Sequence, residues 1–388
     1  MENKNLLGKT GEKKVLIIAG ETSGDLHGAS LVKEMLHFNP NLRFYGVGGE
    51  KMREVGVKLV AEISELAVVG ITEVFFRLKN IYKVYCKLKS LLRENKPDLV
   101  ILIDYPDFNL FFARKVKREN IPIIYYISPQ VWAWRKSRIK KISQLVKKMI
   151  VIFPFEKELY QKRGVEVEFV GHPLLDSIPS PSSRKKISDK FSLNPEIPTI
   201  GLLPGSRSTE IQRNFPPMVK AIPLIRENIN PVQFIIPVAP GIKVEEIKRF
   251  IDYSVENLLI IKDNIYEVMQ VADLLIVASG TATLEATIIG TPMIIVYRVS
   301  PLTYLLGKML IKVKNIGMVN IIAGKTVVPE LIQNDLKPEK IARLASELLN
   351  SPERLNEIKK ELHRVKGKLG EPGASLRAAK IITQFLNS

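Results

Sequence analysis

Two stretches of the chain carry carboxylates directly after apolar runs that are typical of buried strands. "LVILIDYPDFN" ends such a run at Asp104, with Asp107 and Asn109 close behind, and "IIAGETSGDLHG" ends another at Gly20 and Glu21. A carboxylate at the carboxyl end of a central strand can act as a general base toward an alcohol. The alternative is a helix N-cap or a turn aspartate, which suits Asp107 better than Asp104.

The loop after the first apolar run is rich in small residues, with glycines at 20, 24 and 28. This spacing fails the dinucleotide fingerprint G-x-G-x-x-G, and no Gly-Lys-Ser/Thr follows to make a P-loop. Glu21 and Asp25 add acceptors that a pyrophosphate would avoid. We therefore expect a strand-to-helix elbow that admits a substrate other than a nucleotide's phosphates.

A second elbow, "LLPGSRSTEI", places Gly205, Ser206 and Arg207 where a strand should end and a helix should begin. Free backbone N–H groups, a hydroxyl and a guanidinium at a helix N-terminus make a phosphate site. The alternative is an ordinary turn with a surface arginine. Phosphate is favoured because ligands bind at the carboxyl ends of strands in such sheets.

A third elbow, "IVASGTATLEATIIGTP", repeats this arrangement with Ser279, Gly280, Thr281 and Thr283, and Glu285 follows within the first turns of the helix. Small residues let a phosphate approach the backbone, and a carboxylate a few residues on can bind the two hydroxyls of a ribose. Glu285 could instead merely favour the helix N-terminal half through its dipole. Together with the arginine loop, this elbow predicts a nucleotide diphosphate site.

The elements that must position these residues alternate as short apolar strands and helices along the chain. Continuous apolar strands between helices predict parallel sheets covered on both faces. We expect an α/β protein with two Rossmann-like, doubly wound domains facing across a cleft. The first domain would span 1–173, a Pro- and Ser-rich linker 174–198 and the second domain 199–370, and a last helix at 371–388 could pack back on the first domain.

The charge of the chain is strongly positive, at +18 over 388 residues, and it is concentrated in one part. Residues 77–150 hold 18 Lys and Arg against 5 Asp and Glu. Such a block suits an anionic partner, which would be membrane headgroups, nucleic acid or a phosphorylated substrate, or it is a solvated surface. Trp132 and Trp134 in this block could stack on bases or sugars or simply pack, and since no nucleic-acid-binding motif accompanies them we expect no nucleic-acid partner.

The single cysteine, Cys86, excludes an intrachain disulfide, and the four histidines are scattered without metal-ligand spacing. Metal-free chemistry is therefore expected. The start of the chain lacks the apolar core of a secretory signal, and no run reaches the roughly 18 continuous apolar residues of a membrane span. We therefore expect a cytoplasmic protein.

The segment 74–92 has the pattern of a basic amphipathic helix. Apolar residues recur at helical spacing at Val74, Leu78, Ile81, Tyr85, Leu88 and Leu92. A helix of this kind fits shallow insertion into an anionic membrane surface, although it could also be a core-facing helix, and "LTYLLGKMLIKVKN" (302–315) adds a second basic and apolar stretch. The residues expected at the membrane are Phe75, Phe76, Leu78, Lys79, Tyr82 and Lys83.

Several of these stretches together resemble the lipid A disaccharide synthase family. The matching blocks run in order from residue 19 to 325 and read "AGETSGD", "GVGGEKM", "ELAVVGITEV", "DYPDFN", "SPQVWAWR", "FPFE", "GHPL", "LLPGSR", "ASGTATLE" and "IGMVNIIAGK". The resemblance implies a metal-independent GT-B glycosyltransferase without a cofactor, peripheral on the inner face of the cytoplasmic membrane. The implied reaction transfers 2,3-diacylglucosamine from its UDP derivative to the 6-hydroxyl of 2,3-diacylglucosamine 1-phosphate, with inversion and release of UDP.

The resemblance also implies roles for individual residues. Glu21 would be an acceptor-site or catalytic carboxylate and Asp104 the base, although the sequence leaves open which of the two takes the proton. In the second domain, Arg207 would neutralise the diphosphate, Glu285 would hold the ribose and Asn320 of "MVNIIAG" would contact the donor. The partners implied are a UDP-sugar donor, an acylated glucosamine phosphate acceptor and an anionic membrane surface, and homo-oligomer formation stays open.

Two other functions fit part of the pattern. A UDP-N-acetylglucosamine 2-epimerase or the glucosaminyltransferase of peptidoglycan synthesis would share the phosphate loop and the ribose carboxylate, but not "SPQVWAWR" or "MVNIIAGK". A non-catalytic basic protein that binds membrane or nucleic acid would show salt-sensitive binding without turnover.

Overall fold

The structure is a computed structural model of the chain, and it divides the chain into two compact units. Unit 1 comprises Met1–Asp176 and Leu369–Ser388, and unit 2 comprises Ser177–Lys368. The residues that the structure describes are 12–66, 74–129, 137–251, 257–301, 304–305 and 315–388, with the side chains of 74–78 and 137 left out. The side chains of Phe75, Phe76 and Leu78, both tryptophans and most of the 302–315 stretch therefore lie outside the described residues.

Unit 1 is built on a parallel sheet of seven strands in the order β3-β2-β1-β4-β5-β6-β7. The central strands β1 and β4 are buried along almost their whole length, as continuous apolar runs require when both faces of a sheet are covered. Their register pairs Ala19 with Ile103, so both strands end at the same edge. The strand bounds are Lys13–Ala19 (β1), Leu42–Gly48 (β2), Lys58–Glu62 (β3), Leu99–Ile103 (β4), Ile123–Tyr126 (β5), Lys148–Val151 (β6) and Glu166–Phe169 (β7).

The helices of unit 1 cover its sheet, and the last helix of the chain is one of them. This helix, α17, packs against α1. The helix bounds are Thr22–Phe38 (α1), Glu50–Glu54 (α2), Ile63–Leu66 (α3), Val74–Glu94 (α4), Pro106–Arg118 (α5), Ser137–Leu145 (α6), Pro154–Gln161 (α7) and Ala374–Asn387 (α17).

Unit 2 repeats the doubly wound arrangement with six parallel strands in the order β10-β9-β8-β11-β12-β13. Strands β8 and β11 are fully buried and form the central pair, in register from Leu274 and Ile200 onward. The strand bounds are Thr199–Leu203 (β8), Gln233–Val238 (β9), Leu258–Lys262 (β10), Leu274–Ala278 (β11), Met293–Tyr297 (β12) and Glu330–Ile332 (β13).

The helices of unit 2 begin inside the segment that its composition predicts to be a linker. The described helices are Leu174–Ser177 (α8, which straddles the boundary), Arg184–Phe191 (α9), Ser208–Asn228 (α10), Val244–Lys248 (α11), Ile265–Val271 (α12), Thr281–Ile289 (α13), Met318–Ala323 (α14), Pro338–Leu349 (α15) and Pro352–Lys368 (α16), with a 3₁₀ turn at Gln333–Asp335.

Helix α9 is held on unit 2 by a bidentate ion pair. The guanidinium of Arg184 donates to both carboxylate oxygens of Asp273, at 2.6 and 2.8 Å. The same carboxylate accepts from the backbone N–H of Thr199, at the start of β8. Much of the 174–198 segment is thus ordered structure of unit 2, because an arginine fork fixes both the position and the orientation of its partner. The units divide at 176/177 and 368/369.

Candidate active site

The turn after β4 carries Asp104 in an unusual backbone conformation. Asp104 and Tyr105 have φ angles of 41° and 44°, so two consecutive residues with side chains lie in the left-handed region. This sharp reversal lets α5 begin directly at Pro106. The Asp104 side chain is left partly buried at the carboxyl end of a central strand.

The electrostatic surroundings of Asp104 suit a base that works near neutral pH. Burial and, second, the negative charge of Glu21 raise the pKa of Asp104 to about 6, while a hydrogen bond from the backbone N–H of Tyr105 lowers it. Both raising effects disfavour the charged carboxylate. A carboxylate with such a pKa is a stronger proton acceptor than an ordinary aspartate, yet it is largely ionised at pH 7.

Glu21 is the second carboxylate of this edge. It stands at the N-cap position of α1 with an extended backbone and makes no capping hydrogen bond with its side chain, which is exposed. Since β1 and β4 are neighbours, Glu21 and Asp104 are brought together, as the effect of Glu21 on the Asp104 pKa shows. Within the described ranges no group of three or more His, Cys, Asp or Glu side chains could hold a metal ion.

The glycine at position 20 has a packing role within unit 1. A Cβ atom on Gly20 would lie 2.2 Å from Cγ of Tyr105, so the aromatic ring occupies the space that a side chain would need. The Tyr105 hydroxyl donates to the carbonyl of Leu66 at 2.9 Å. Gly20 is therefore needed for packing against Tyr105, and the expectation that the 20–28 elbow admits a substrate stays a prediction.

Asp25, expected as an acceptor facing the ligand, is a buried structural residue. Its carboxylate accepts from the backbone N–H groups of Gly49 (2.7 Å), Lys51 (3.1 Å) and Met52 (3.1 Å). These donors belong to the first turn of α2 and would otherwise lack partners. Asp25 thereby joins the motifs "AGETSGD" and "GVGGEKM", and the pairing could not be read from either stretch alone.

In unit 2 the elbow after β8 has the shape of an anion site, and a carboxylate of the protein already reaches it. Ser206 and Arg207 are exposed, and the Arg207 side chain retains 74% of its accessible surface. Glu210 folds back so that its Oε2 accepts from the Ser206 N–H at 3.1 Å, with Oε1 3.5 Å from the Arg207 guanidinium. Gly205 has a φ of 128°, and a Cβ there would meet Glu210 at 2.7 Å.

Glu210 was missed by the sequence reasoning, although a signal for it existed. Arg207 is the N-cap residue of α10, and Glu210 stands three residues later, where a glutamate often reaches back to free N–H groups. Its carboxylate contacts the donors that were expected to bind phosphate. The local geometry thus supports the prediction that this elbow binds anions.

The elbow after β11 lies beside the first one, because β11 pairs with β8. Ser279 is partly buried, whereas Gly280 and Thr281 are exposed at the start of α13. Glu285 lies in the second turn and accepts from the Tyr266 hydroxyl at 3.0 Å, and burial raises the pKa of its carboxyl. Tyr266, which the sequence reasoning missed, orients the carboxylate that was expected to hold the ribose.

Asn320 has a different environment from the one expected for a donor-binding residue. It is 0% exposed, and its amide donates to the Val328 carbonyl (2.9 Å) and to Glu330 Oε1 (2.7 Å). Its Oδ1 accepts from the N–H groups of Val327 (2.7 Å) and Val328 (3.1 Å). With both amide hydrogens and the carbonyl engaged inside unit 2, this geometry favours a role for Asn320 in holding the loop, not a direct contact with the donor.

The basic helix α4 is anchored in the core by one face and exposes aromatic and basic residues on another. Val84, Leu88 and Leu92 are buried, whereas Tyr82 is 66% exposed beside the exposed Lys79 and Lys83. The sequence reasoning missed Phe111 of α5, which is 54% exposed and packs its ring 5.0 Å from that of Tyr85. In the described part of the chain, no helix has the length and apolar character to cross a membrane.

The fold defines a class of protein. The structure is similar to the UDP-GlcNAc 2-epimerase from Neisseria meningitidis bound to UDP-GlcNAc (TM-score 0.63, 15% identity, 96% of this chain and 99% of that one). It is also similar to the calicheamicin glycosyltransferase (TM-score 0.62, 15% identity, 97% and 98%). At this identity the likeness shows the fold alone, which is the GT-B arrangement of two Rossmann-like units, as the sequence predicts.

Sequence comparison goes further than the fold. The profile of the family described as lipid-A-disaccharide synthetase matches residues 15–385. The lipid-A-disaccharide synthase of Syntrophus aciditrophicus (strain SB) is 50% identical over 368 residues, which cover 95% of this chain and 96% of that protein. The chain therefore belongs to the lipid-A-disaccharide synthase family, a family of glycosyltransferases. The resemblance read from the motifs is confirmed, and an epimerase or a peptidoglycan enzyme is not favoured.

Proposed function

We propose that this protein joins UDP-2,3-diacylglucosamine to 2,3-diacylglucosamine 1-phosphate through a β-1,6 linkage and releases UDP. The observation that carries this proposal is the match of the family over residues 15–385, together with a carboxylate of raised pKa at the expected position. An inverting transfer needs a base on the acceptor hydroxyl and positive charge around the departing diphosphate.

In unit 1 the proposed base is Asp104, which takes the proton of the acceptor's 6-hydroxyl as that oxygen attacks the anomeric carbon. Its partial burial and pKa of about 6 support this role over Glu21, for which exposure favours hydrogen bonds to sugar hydroxyls. The negative charge of Glu21 also keeps Asp104 basic. The two carboxylates would thus act on the same acceptor with separate tasks.

In unit 2 the proposed donor site binds the diphosphate through Ser206 and Arg207. The start of helix α13, at Ser279, Gly280 and Thr281, would provide further groups for the phosphates. Glu285, oriented by Tyr266, would accept from the ribose hydroxyls. Positive charge beside the departing diphosphate stabilises UDP as a leaving group. Asn320 would act indirectly, by holding the loop that precedes β13.

The reaction is tested by measuring UDP release from UDP-2,3-diacylglucosamine in detergent micelles, in a buffer that contains EDTA. We expect release only when 2,3-diacylglucosamine 1-phosphate is present, and the product should be a single β-1,6-linked disaccharide by NMR. A 6-deoxy acceptor is the matched control substrate, because it lacks only the attacking hydroxyl. Release without acceptor, or with the 6-deoxy compound, would contradict the proposed transfer.

The same assay separates the alternative enzyme class. Incubation with UDP-N-acetylglucosamine alone should yield no UDP-N-acetylmannosamine, because the proposed transfer does not change the configuration at C2 of the sugar. Appearance of the manno sugar would indicate an epimerase instead.

We further propose that an aromatic and basic surface of unit 1 holds the enzyme on the anionic inner face of the cytoplasmic membrane. This surface comprises the exposed residues Lys79, Tyr82, Lys83 and Phe111, with Phe75, Phe76 and Leu78 as sequence-based candidates. Exposed aromatic rings beside lysines match a bilayer interface with anionic headgroups, where each basic residue contributes about 1 kcal/mol. From the membrane surface the enzyme would reach its acylated substrates.

Membrane attachment is tested by sedimentation with vesicles. The double variant Tyr82→Ser/Phe111→Ser should bind phosphatidylglycerol vesicles several-fold more weakly than the wild type, whereas Leu376→Ser, which alters an exposed leucine on α17, should bind like the wild type. Equal binding of all three proteins, or equal binding to purely zwitterionic vesicles, would contradict this surface.

A further inference from the structure

The conformation of the Asp104 turn needs an explanation, because the bulky side chain of Tyr105 disfavours it. Aspartate is tolerated in the left-handed region more often than most residues, but a bulky side chain such as that of Tyr105 is rarely found there. Both residues have positive φ angles in succession. Other groups must therefore hold the turn in place.

Two fully buried side chains hold the Asp104 turn by hydrogen bonds to its backbone carbonyl groups. The amide of Asn109 donates to the carbonyl of Asp104 at 2.7 Å and to that of Ile103 at 3.1 Å. The hydroxyl of Tyr125, on the neighbouring strand β5, donates to the same Asp104 carbonyl at 2.5 Å. The Asp104 N–H in turn donates to the Ile127 carbonyl at 3.3 Å.

These contacts determine where the carboxylate points. The carbonyl of Asp104 belongs to the planar peptide group that joins Asp104 to Tyr105, and the N–H of Asp104 on the other side of its Cα is held by Ile127. Since a peptide group is planar, holding both groups fixes the backbone of Asp104 and with it the direction of the Cα–Cβ bond that carries the carboxylate. Asn109 and Tyr125 are both 0% exposed, so water does not compete for the carbonyl.

We propose that Asn109 and Tyr125 are positioning residues for the reaction: by binding the backbone carbonyl of Asp104 they hold its carboxylate in the geometry that accepts the proton. This inference rests on the proposed role of Asp104 as the base. It assigns a task to Asn109 of the "DYPDFN" motif and to a tyrosine that lies outside the blocks that carry the family resemblance.

The test compares Tyr125→Phe with Tyr126→Phe. Each substitution removes one hydroxyl from a fully buried tyrosine of β5, but adjacent residues of a strand point to opposite faces of the sheet. Tyr126 therefore controls for the loss of a buried hydroxyl in the same strand. Thermal unfolding of both variants shows whether they fold, and kcat, KM and the pH dependence of kcat/KM are measured for each.

We expect Tyr125→Phe to lower kcat about tenfold with less than about a twofold change in either KM, because a displaced base weakens the transition state and not substrate binding. The acid limb of its kcat/KM profile should move from about pH 6 toward lower pH, because burial is the largest cause of the raised Asp104 pKa and a loosened carboxylate becomes better hydrated. Tyr126→Phe should match the wild type in both. Asn109→Leu, which loses both amide bonds, should show a larger loss of kcat.

Wild-type kcat and an unmoved acid limb in Tyr125→Phe would overturn the inference. A lower kcat with an unmoved limb would also overturn it, because Tyr125 would then act on something other than Asp104. The assay of Asp104→Asn separates the two proposals: if that variant keeps the wild-type rate, the base assignment itself is wrong. If Asp104→Asn is inactive while Tyr125→Phe is normal, only the positioning role is wrong.

Discussion

The central strand pairs of the two units carry opposite chemistry at equivalent places. In unit 1, β1 and β4 end in the carboxylates of Glu21 and Asp104, whereas in unit 2, β8 and β11 end in the Arg207 loop and in the hydroxyls around Ser279. In both sheets this pair is the point where the strand order reverses, which is where open α/β sheets bind ligands. Topology thus decides the location of each candidate site, and the local residues decide its charge.

The two sites also differ in how they are held. The acidic site depends on a left-handed turn whose geometry is imposed by Asn109, Tyr125 and the ring of Tyr105. The basic site is an exposed helix start. The backbone N–H of Ser206 there donates to the carboxylate of Glu210 on the same helix. A base must be placed within a narrow geometry, whereas a diphosphate can be bound by donors that adjust.

The largest effect is expected at the acidic site. Asp104→Asn should lower kcat about 10²- to 10⁴-fold, the range that a general base contributes, with little change in the KM for the donor. UDP release under saturating substrates measures this.

The control for this variant is Asp107→Asn, which neutralises an exposed carboxylate three residues away that pairs with Arg138. It should stay within about threefold of the wild type. Equal losses in both variants would mean that the negative charge of the turn matters and not a base at position 104.

The next effect belongs to the basic site. Arg207→Ala should weaken UDP binding about 10- to 100-fold, because a hydrogen bond to a charged group contributes about 1.5–3 kcal/mol. Calorimetric titration with UDP measures it, with Lys220→Ala, an exposed cation on the same helix, as the control. If both variants bind UDP like the wild type, the phosphate assignment of this elbow is wrong.

A smaller effect connects the two carboxylates. In the wild type, kcat/KM should fall below about pH 6 as Asp104 is protonated. Since the charge of Glu21 raises the pKa of Asp104, Glu21→Gln should move this acid limb to lower pH by about half a unit and raise the acceptor KM about tenfold. Glu158→Gln, at an exposed site on α7, should leave the limb where it is. A limb that moves to higher pH would contradict the coupling.

The smallest effect concerns the carboxylate that occupies the basic site. Glu210→Gln should tighten UDP binding about two- to fivefold, because the amide oxygen can still accept from Ser206 while the charge that opposes a diphosphate is gone. Titration with UDP measures this as well. Weaker binding would show that the ionised Glu210 is needed to brace the loop, and the contrast between a rigid and an adjustable site would lose support.

Much of the fold could be predicted from the sequence, because apolar strands and amphipathic helices are local patterns. The strand ends at Asp104, Arg207 and Ser279 were found in this way. Helix α9 inside the expected linker was missed, since its ion pair joins Arg184 to a partner 89 residues away.

At the two candidate sites, residue types indicated the chemistry, but they did not indicate which polar side chains face a ligand and which bind the protein itself. Asp25 and Asn320 carry polar groups inside recognisable motifs, yet both are buried and bind backbone groups of their own unit. Whether a polar side chain faces a ligand or the protein depends on neighbours that are distant in sequence. Tyr266 and Tyr125 were missed for the same reason, whereas Glu210 could have been found from its spacing to Arg207.

The sequence by itself determined the doubly wound architecture, the family and the edge of each sheet that carries the site, because these follow from periodicity and from motifs of contiguous residues. Only the tertiary structure decided that Tyr105 fills the space over Gly20, that Glu21 and Asp104 lie close enough to couple, and that Asn109 and Tyr125 share one carbonyl. Burial and pairing between distant segments set pKa values and backbone conformations, and no local pattern contains them.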